Sequence, residues 1–150
     1  MIKKVFFLVL ILFLSSCGYN PIYLKKSDKD LSLKNYQVTG NKIINKSIVS
    51  YLNLKNSSNT NAKYSLELNS TKLVETVAKD KMGNASVYKT TIRVELLITE
   101  GANVIKKRTF TSDFIYNNIA NKFDLFQYQK SIDKNLINNL SEKIFVFLTS

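Results

Sequence analysis

The sequence predicts an α+β fold: a four-stranded mixed sheet with two helices on one face, in the order β-α-β-β-β-α, after an N-terminal segment outside the domain. Three observations carry that prediction. Tyr88, Thr90, Ile92, Val94, Leu96 and Ile98 alternate with Lys89, Thr91, Arg93 and Glu95, the pattern of a strand with one face buried and one in water. From about Asp124, the positions Tyr128, Ile132, Leu136, Leu140, Ile144 and Leu148 step by four, and Ile137 and Phe145 widen this stripe of a long amphipathic helix. Between Lys42 and about Lys55, Ile44, Ile48, Tyr51 and Leu52 recur at helical spacing on a shorter element.

Residues 1–16 read as a lipoprotein signal peptide. Lys3 and Lys4 make a positive start, and Val5 to Leu14 is an unbroken apolar run of ten. A membrane-spanning helix needs roughly 20 such residues, so ten suits a signal peptide. Leu14-Ser15-Ser16-Cys17 then follows the aliphatic, small, small, Cys pattern of a lipobox. Small residues let the signal peptidase reach the bond, and the Cys17 thiol accepts diacylglycerol. Cys17 is the only cysteine in the chain. With diacylglycerol and an N-acyl chain such as palmitate, Cys17 would be held on a membrane where one chain alone is marginal. Gly18 rather than Asp follows it, which under the usual bacterial sorting rule implies the outer membrane, on the periplasmic side. Residues 17–30 then form the lipidated Cys and a tether, and 31–150 a single domain.

Within that domain, Leu31 to Val38 alternates imperfectly as a first strand, Thr39-Gly40-Asn41 breaks it, and Asn41 is placed to cap the helix that follows. Asn56 to Asn61 is a polar turn. Tyr64, Leu66 and Leu68 open a second strand, after which the apolar parity moves to Leu73 and Val77, implying a bulge near Ser70–Lys72. Lys81-Met82-Gly83-Asn84 turns the chain into the third strand, and Glu100-Gly101-Ala102-Asn103 turns it into the fourth. Pairing Val94 opposite Phe110 places Ile92, Leu96, Phe110 and Phe114 on one side of that hairpin. A right-handed crossover makes the first two strands parallel, so both are expected to end at the same edge. Lys79, Lys81 and Lys122 gather there, opposite the end that the anchor enters.

Composition narrows the chemistry. The 150 residues include no His and no Trp, so an imidazole base, a Ser-His pair and a His-built zinc site are out of reach. One Cys makes no internal disulfide or cysteine metal cage. No Gly-rich phosphate loop occurs, and Glu67, Glu75, Glu95 and Asp113 show no spacing that demands a carboxylate pair, so neither an enzyme nor a bound cofactor is expected. The formal charge of +11, from 22 basic and 11 acidic side chains, suggests an anionic partner. Nucleic acid is not the expected one. The open face of the third strand lacks the aromatics of an RNA-binding sheet, and a signal peptide exports the chain.

Cys17-Gly18-Tyr19-Asn20-Pro21-Ile22-Tyr23 resembles the mature start of LptE, the lipopolysaccharide-assembly lipoprotein, in its alphaproteobacterial branch. The capped helix, the Tyr64-x-Leu66 opening, Ala85-Ser86-Val87-Tyr88, the Thr99-Glu100-Gly101 turn and the long terminal helix agree in order and spacing. The resemblance implies a non-enzymatic protein: a plug and assembly partner of the LptD barrel, which helps move lipopolysaccharide to the outer leaflet. It also implies a four-stranded sheet with two helices, whose open polar face would meet a hydrated barrel lumen. Lipid A phosphates would be met by Lys79, Lys81 and Lys122, or by the run Lys106-Lys107-Arg108, where Lys106 and Arg108 share the parity of Phe110. The alternative is another small outer-membrane lipoprotein, a pilot or accessory subunit of a different barrel or secretin.

Overall fold

The computed structural model describes residues 33–56 and 62–150. The expected signal peptide, Cys17, the tether, the first two residues of the expected first strand and the body of the polar turn lie outside the described residues. Six elements follow in the expected order: β1 (Leu33–Gly40), α1 (Lys42–Leu52), β2 (Tyr64–Lys79), β3 (Ala85–Glu100), β4 (Asn103–Asn117) and α2 (Lys122–Thr149). The strands lie side by side in chain order, β1 parallel to β2 and the other pairs antiparallel. Parallel neighbours need a crossover, and α1 supplies it.

Local chemistry sets the helix ends. Asn41 accepts the N–H groups of Ile43 and Ile44 at 3.0 and 3.2 Å, and Asn121 accepts those of Phe123 and Asp124 at 2.9 and 3.4 Å. Each cap satisfies donors that have no partner inside the helix. Helix α1 stops at Leu52, short of the expected Lys55, because Asn53 takes a left-handed φ of 51° that Asn tolerates better than most residues.

The two helices share one face of the sheet. Ile44 and Ile48 of α1, Leu140 and Ile144 of α2, and Leu66, Leu68, Ile92, Val94 and Leu96 of the sheet form the buried centre. Val94 faces Phe110, the pairing expected from the hairpin pattern. The opposite face carries Thr91, Thr109 and Thr111 with two ion pairs, Arg93–Glu95 at 2.8 Å and Lys89–Asp113 at 3.3 Å.

Two expectations are corrected. The β2–β3 register runs unbroken from Tyr64↔Glu100 to Thr76↔Tyr88, so no bulge occurs at Ser70–Lys72; the irregularity falls at Val77. Leu73 changes parity because it is an apolar residue on the open face, 55 % exposed. Strands β1 and β2 also do not end together. β1 stops at Gly40, level with Ser70, and β2 continues for nine residues, Thr71 to Lys79.

The stop is built from specific contacts. Gly40 has φ +88°, and a Cβ there would collide with the Ser70 carbonyl. Asn41 N–H donates to that carbonyl at 2.9 Å. The buried Ser70 hydroxyl donates to Asn45 Oδ1 at 2.6 Å, and Asn45 Nδ2 donates to Thr39 O at 2.8 Å. Strand end, helix start and the middle of β2 are thereby tied into one buried polar junction.

Candidate functional site

The pole formed by the β2–β3 turn and the β4–α2 connection collects the expected lysines. Lys79 ends β2, Lys81 lies in the turn, and Lys122 is the first residue of α2. Asp80 holds the turn closed. Its carboxylate accepts the N–H groups of Met82 at 2.8 Å and Asn84 at 2.9 Å, while its own N–H donates to Asn84 O at 2.8 Å. The bond from the Asn84 backbone, then that from its side chain and those from Met82 and Gly83, holds the exposed Asp80 carboxyl below the usual carboxylate range against a smaller desolvation effect. Asn118 fastens the end of β4 alongside, donating its backbone N–H to Ser86 O and its side-chain amide to Ala85 O, both at 2.8 Å.

Those lysines share the pole with exposed apolar side chains, and the sequence pattern did not point to Phe123 or Phe126. Met82 is 83 % and Phe123 66 % exposed, and Phe126, Val77 and Ile115 are also exposed. The start of α2 is nevertheless anchored. The buried Tyr116 ring meets Tyr88 and Tyr128 at centroid distances of 5.7 and 5.9 Å, and its hydroxyl bonds Thr90 Oγ1 at 3.3 Å and accepts from Gln129 Nε2 at 2.9 Å. Phe123 and Phe126 stay exposed although this aromatic cluster fixes the same end of the helix to the sheet. The one signal for them was their position off the apolar stripe of the helix.

Lys106, Lys107 and Arg108 lie toward the other end of β4, and the sheet divides them. Lys106 Nζ stands 5.3 Å from the Phe147 ring centre, and the Arg108 guanidinium stands 5.3 Å from Phe147 and 5.4 Å from Phe110. Both cations thus sit against the last turn of α2, where the helix carries partial negative charge and no basic residue of its own. Lys107 faces the opposite side, in a depression of mixed character that Gln37, Glu67, Asn69 and Glu95 share with Leu97. The run does not form one anion site. Cys17 lies outside the described residues. Among the described residues, no group of three or more His, Cys, Asp or Glu side chains could hold a metal ion. No described helix is long and apolar enough to cross a membrane.

No protein-family model and no curated protein matches the chain. Solved structures match its fold. Rare lipoprotein B from Shewanella oneidensis superposes with a TM-score of 0.59 at 13 % identity, covering 77 % of this chain and 93 % of that one. A minor lipoprotein from Acinetobacter baumannii gives 0.58 at 18 % identity, over 77 % and 90 %. Lipoprotein B from Nitrosomonas europaea gives 0.58 at 8 % identity, over 74 % and 77 %. At such identities the likeness establishes the shared fold.

Proposed function

We propose that this chain is a lipid-anchored outer-membrane protein that plugs an LptD-type barrel, assists its assembly, and binds lipopolysaccharide in transit to the outer leaflet, without enzymatic activity. The observation that carries the reading is the pole where Lys79, Lys81 and Lys122 stand beside exposed Met82, Phe123 and Phe126. Lipopolysaccharide offers anionic phosphates joined to acyl chains, and lysines flanked by apolar side chains match both parts. A solvated lysine patch would not need the exposed rings.

The lipobox ending at Cys17 and the lipoprotein descriptions of the structural neighbours support the anchored state. The described chain enters β1 at Leu33, paired with Tyr64, at the pole opposite Lys79. Lys79 thus lies at the end of the sheet away from the start of β1. The polar open face, with its threonines and paired charges, suits a water-filled lumen.

The partner is tested by extracting the tagged full-length lipoprotein from outer membranes in neutral detergent and identifying the barrel that accompanies it. An LptD-type barrel is expected. Recovery of a secretin or another barrel in its place overturns the reading.

A further inference from the structure

Strand β2 is completed along only half its length. From Tyr64 to Ser70 it is flanked by β1 and lies on the side of the sheet that α1 covers. From Thr71 to Lys79 it has β3 on one side and, among the described residues, no strand on the other. All nine of these residues are exposed. Lys72, Val74 and Thr76 share the face on which Ser70 is buried, yet they are open because α1 starts level with Ser70 and runs back toward the start of β1.

One hydrogen bond gives the direction of the free backbone groups. Asn41 N–H donates to Ser70 O, so that carbonyl points to the β1 side. In a strand, the N–H and C=O of a residue point the same way, and the direction alternates along the chain. With the register unbroken to Thr76, Lys72, Val74 and Thr76 each present a donor and an acceptor outward, about 7 Å apart. The bulge at Val77 ends this straight run. Apolar side chains flank it on both faces, Leu73 on one and Val74 on the other. Lys72 reaches Asp133 of α2, and exposed Phe126 lies two turns earlier on that same side of the helix.

Natural edge strands are protected by proline, bulges or inward charges. Between Thr71 and Thr76 the one basic residue, Lys72, is engaged by Asp133, and Glu75 stands opposite Lys89. An acyl chain laid here would cover the side chains but strip water from backbone groups it cannot pair. An extended polypeptide pairs them all. Beyond the run come Lys79 and Lys81, and the carboxylate of Asp80, which lies between them in sequence, is occupied by its own turn. We infer that the Thr71–Thr76 edge is a strand-addition site for an extended apolar segment of a partner polypeptide, with an acidic residue at the end that meets Lys79 and Lys81. This inference shares Lys79 and Lys81 with the lipopolysaccharide reading, but its test reads the Thr71–Thr76 backbone, so its failure leaves that reading intact.

The test uses the full chain in neutral detergent and a short synthetic strand of alternating valine and threonine with a terminal glutamate. Binding is read by fluorescence anisotropy, and the edge by amide exchange. The peptide is expected to bind and to slow exchange at Lys72, Val74 and Thr76, while its backbone N-methylated form does not bind. Val74→Pro removes one outward donor without touching the β2–β3 ladder, and should weaken binding about tenfold, whereas Val74→Ala retains it. Equal binding of the N-methylated peptide to the wild-type chain overturns the inference whatever the proline variant does. So does unchanged binding by a folded Val74→Pro chain. Protection of the three amides by dodecyl phosphate alone, or by dimerisation of the chain without peptide, would assign the edge to a lipid or a second copy and equally overturn it.

Discussion

Asp80 acts in the β2–β3 turn as a cap acts on a helix, gathering backbone N–H groups that the strands leave unpaired. Its carboxyl is held below the ordinary value by the Asn84 backbone bond first and the bonds from Asn84, Met82 and Gly83 after it. A depressed folded-state pKa means that the stabilisation is present above the unfolded carboxylate value, near pH 4, and is lost as pH falls through the folded value. Thermal unfolding of the wild type and of Asp80→Ala should therefore differ at neutral pH and converge as the solution is acidified below that range. A gap that stays constant down to low pH would show that the charge of Asp80 has no part in the turn.

At the scale of elements, the decisive feature is where β1 stops. Gly40 and Gly83 both have positive φ, so alanine strains either by about 1–2 kcal/mol. Only at Gly40 does a Cβ also meet a backbone carbonyl, that of Ser70, while Gly83 has open space. Gly40→Ala should accordingly destabilise the chain by clearly more than Gly83→Ala in denaturant unfolding, and equal costs would remove the Ser70 junction from the account. The elements themselves were legible in the sequence because their periods are strong: the alternation around Ile92 and Val94 and the four-residue steps to Ile144 admit one reading each. The end of β1 at Gly40 was legible from the Thr39-Gly40-Asn41 break, but its level against β2 was not, because that depends on a contact between Gly40 and Ser70, thirty positions away. Leu73 was misread for a related reason. An apolar residue on the wrong parity signals either a bulge or an exposed patch, and only the register with Thr91 distinguishes them.

For the whole molecule, charge alone was a poor guide. The strongest basic run in the sequence, Lys106-Lys107-Arg108, is divided by the sheet, and two of its members pack against Phe147 at the end of α2. Lys79 and Lys81 are near neighbours in the sequence, and topology brings Lys122 to their pole, where the exposure of Phe123 and Phe126 emerged with the fold. The central claim is that this pole binds lipopolysaccharide. It is tested most directly by titrating lipopolysaccharide, at low and moderate salt, into the full chain with Lys79→Glu, Lys81→Glu and Lys122→Glu combined. A control carries Lys34→Glu, Lys42→Glu and Lys46→Glu, the same change of charge placed on β1 and α1. The account predicts binding at least about tenfold weaker for the first variant and near wild type for the control. Unchanged binding in the first variant, or equal losses in both, would contradict it.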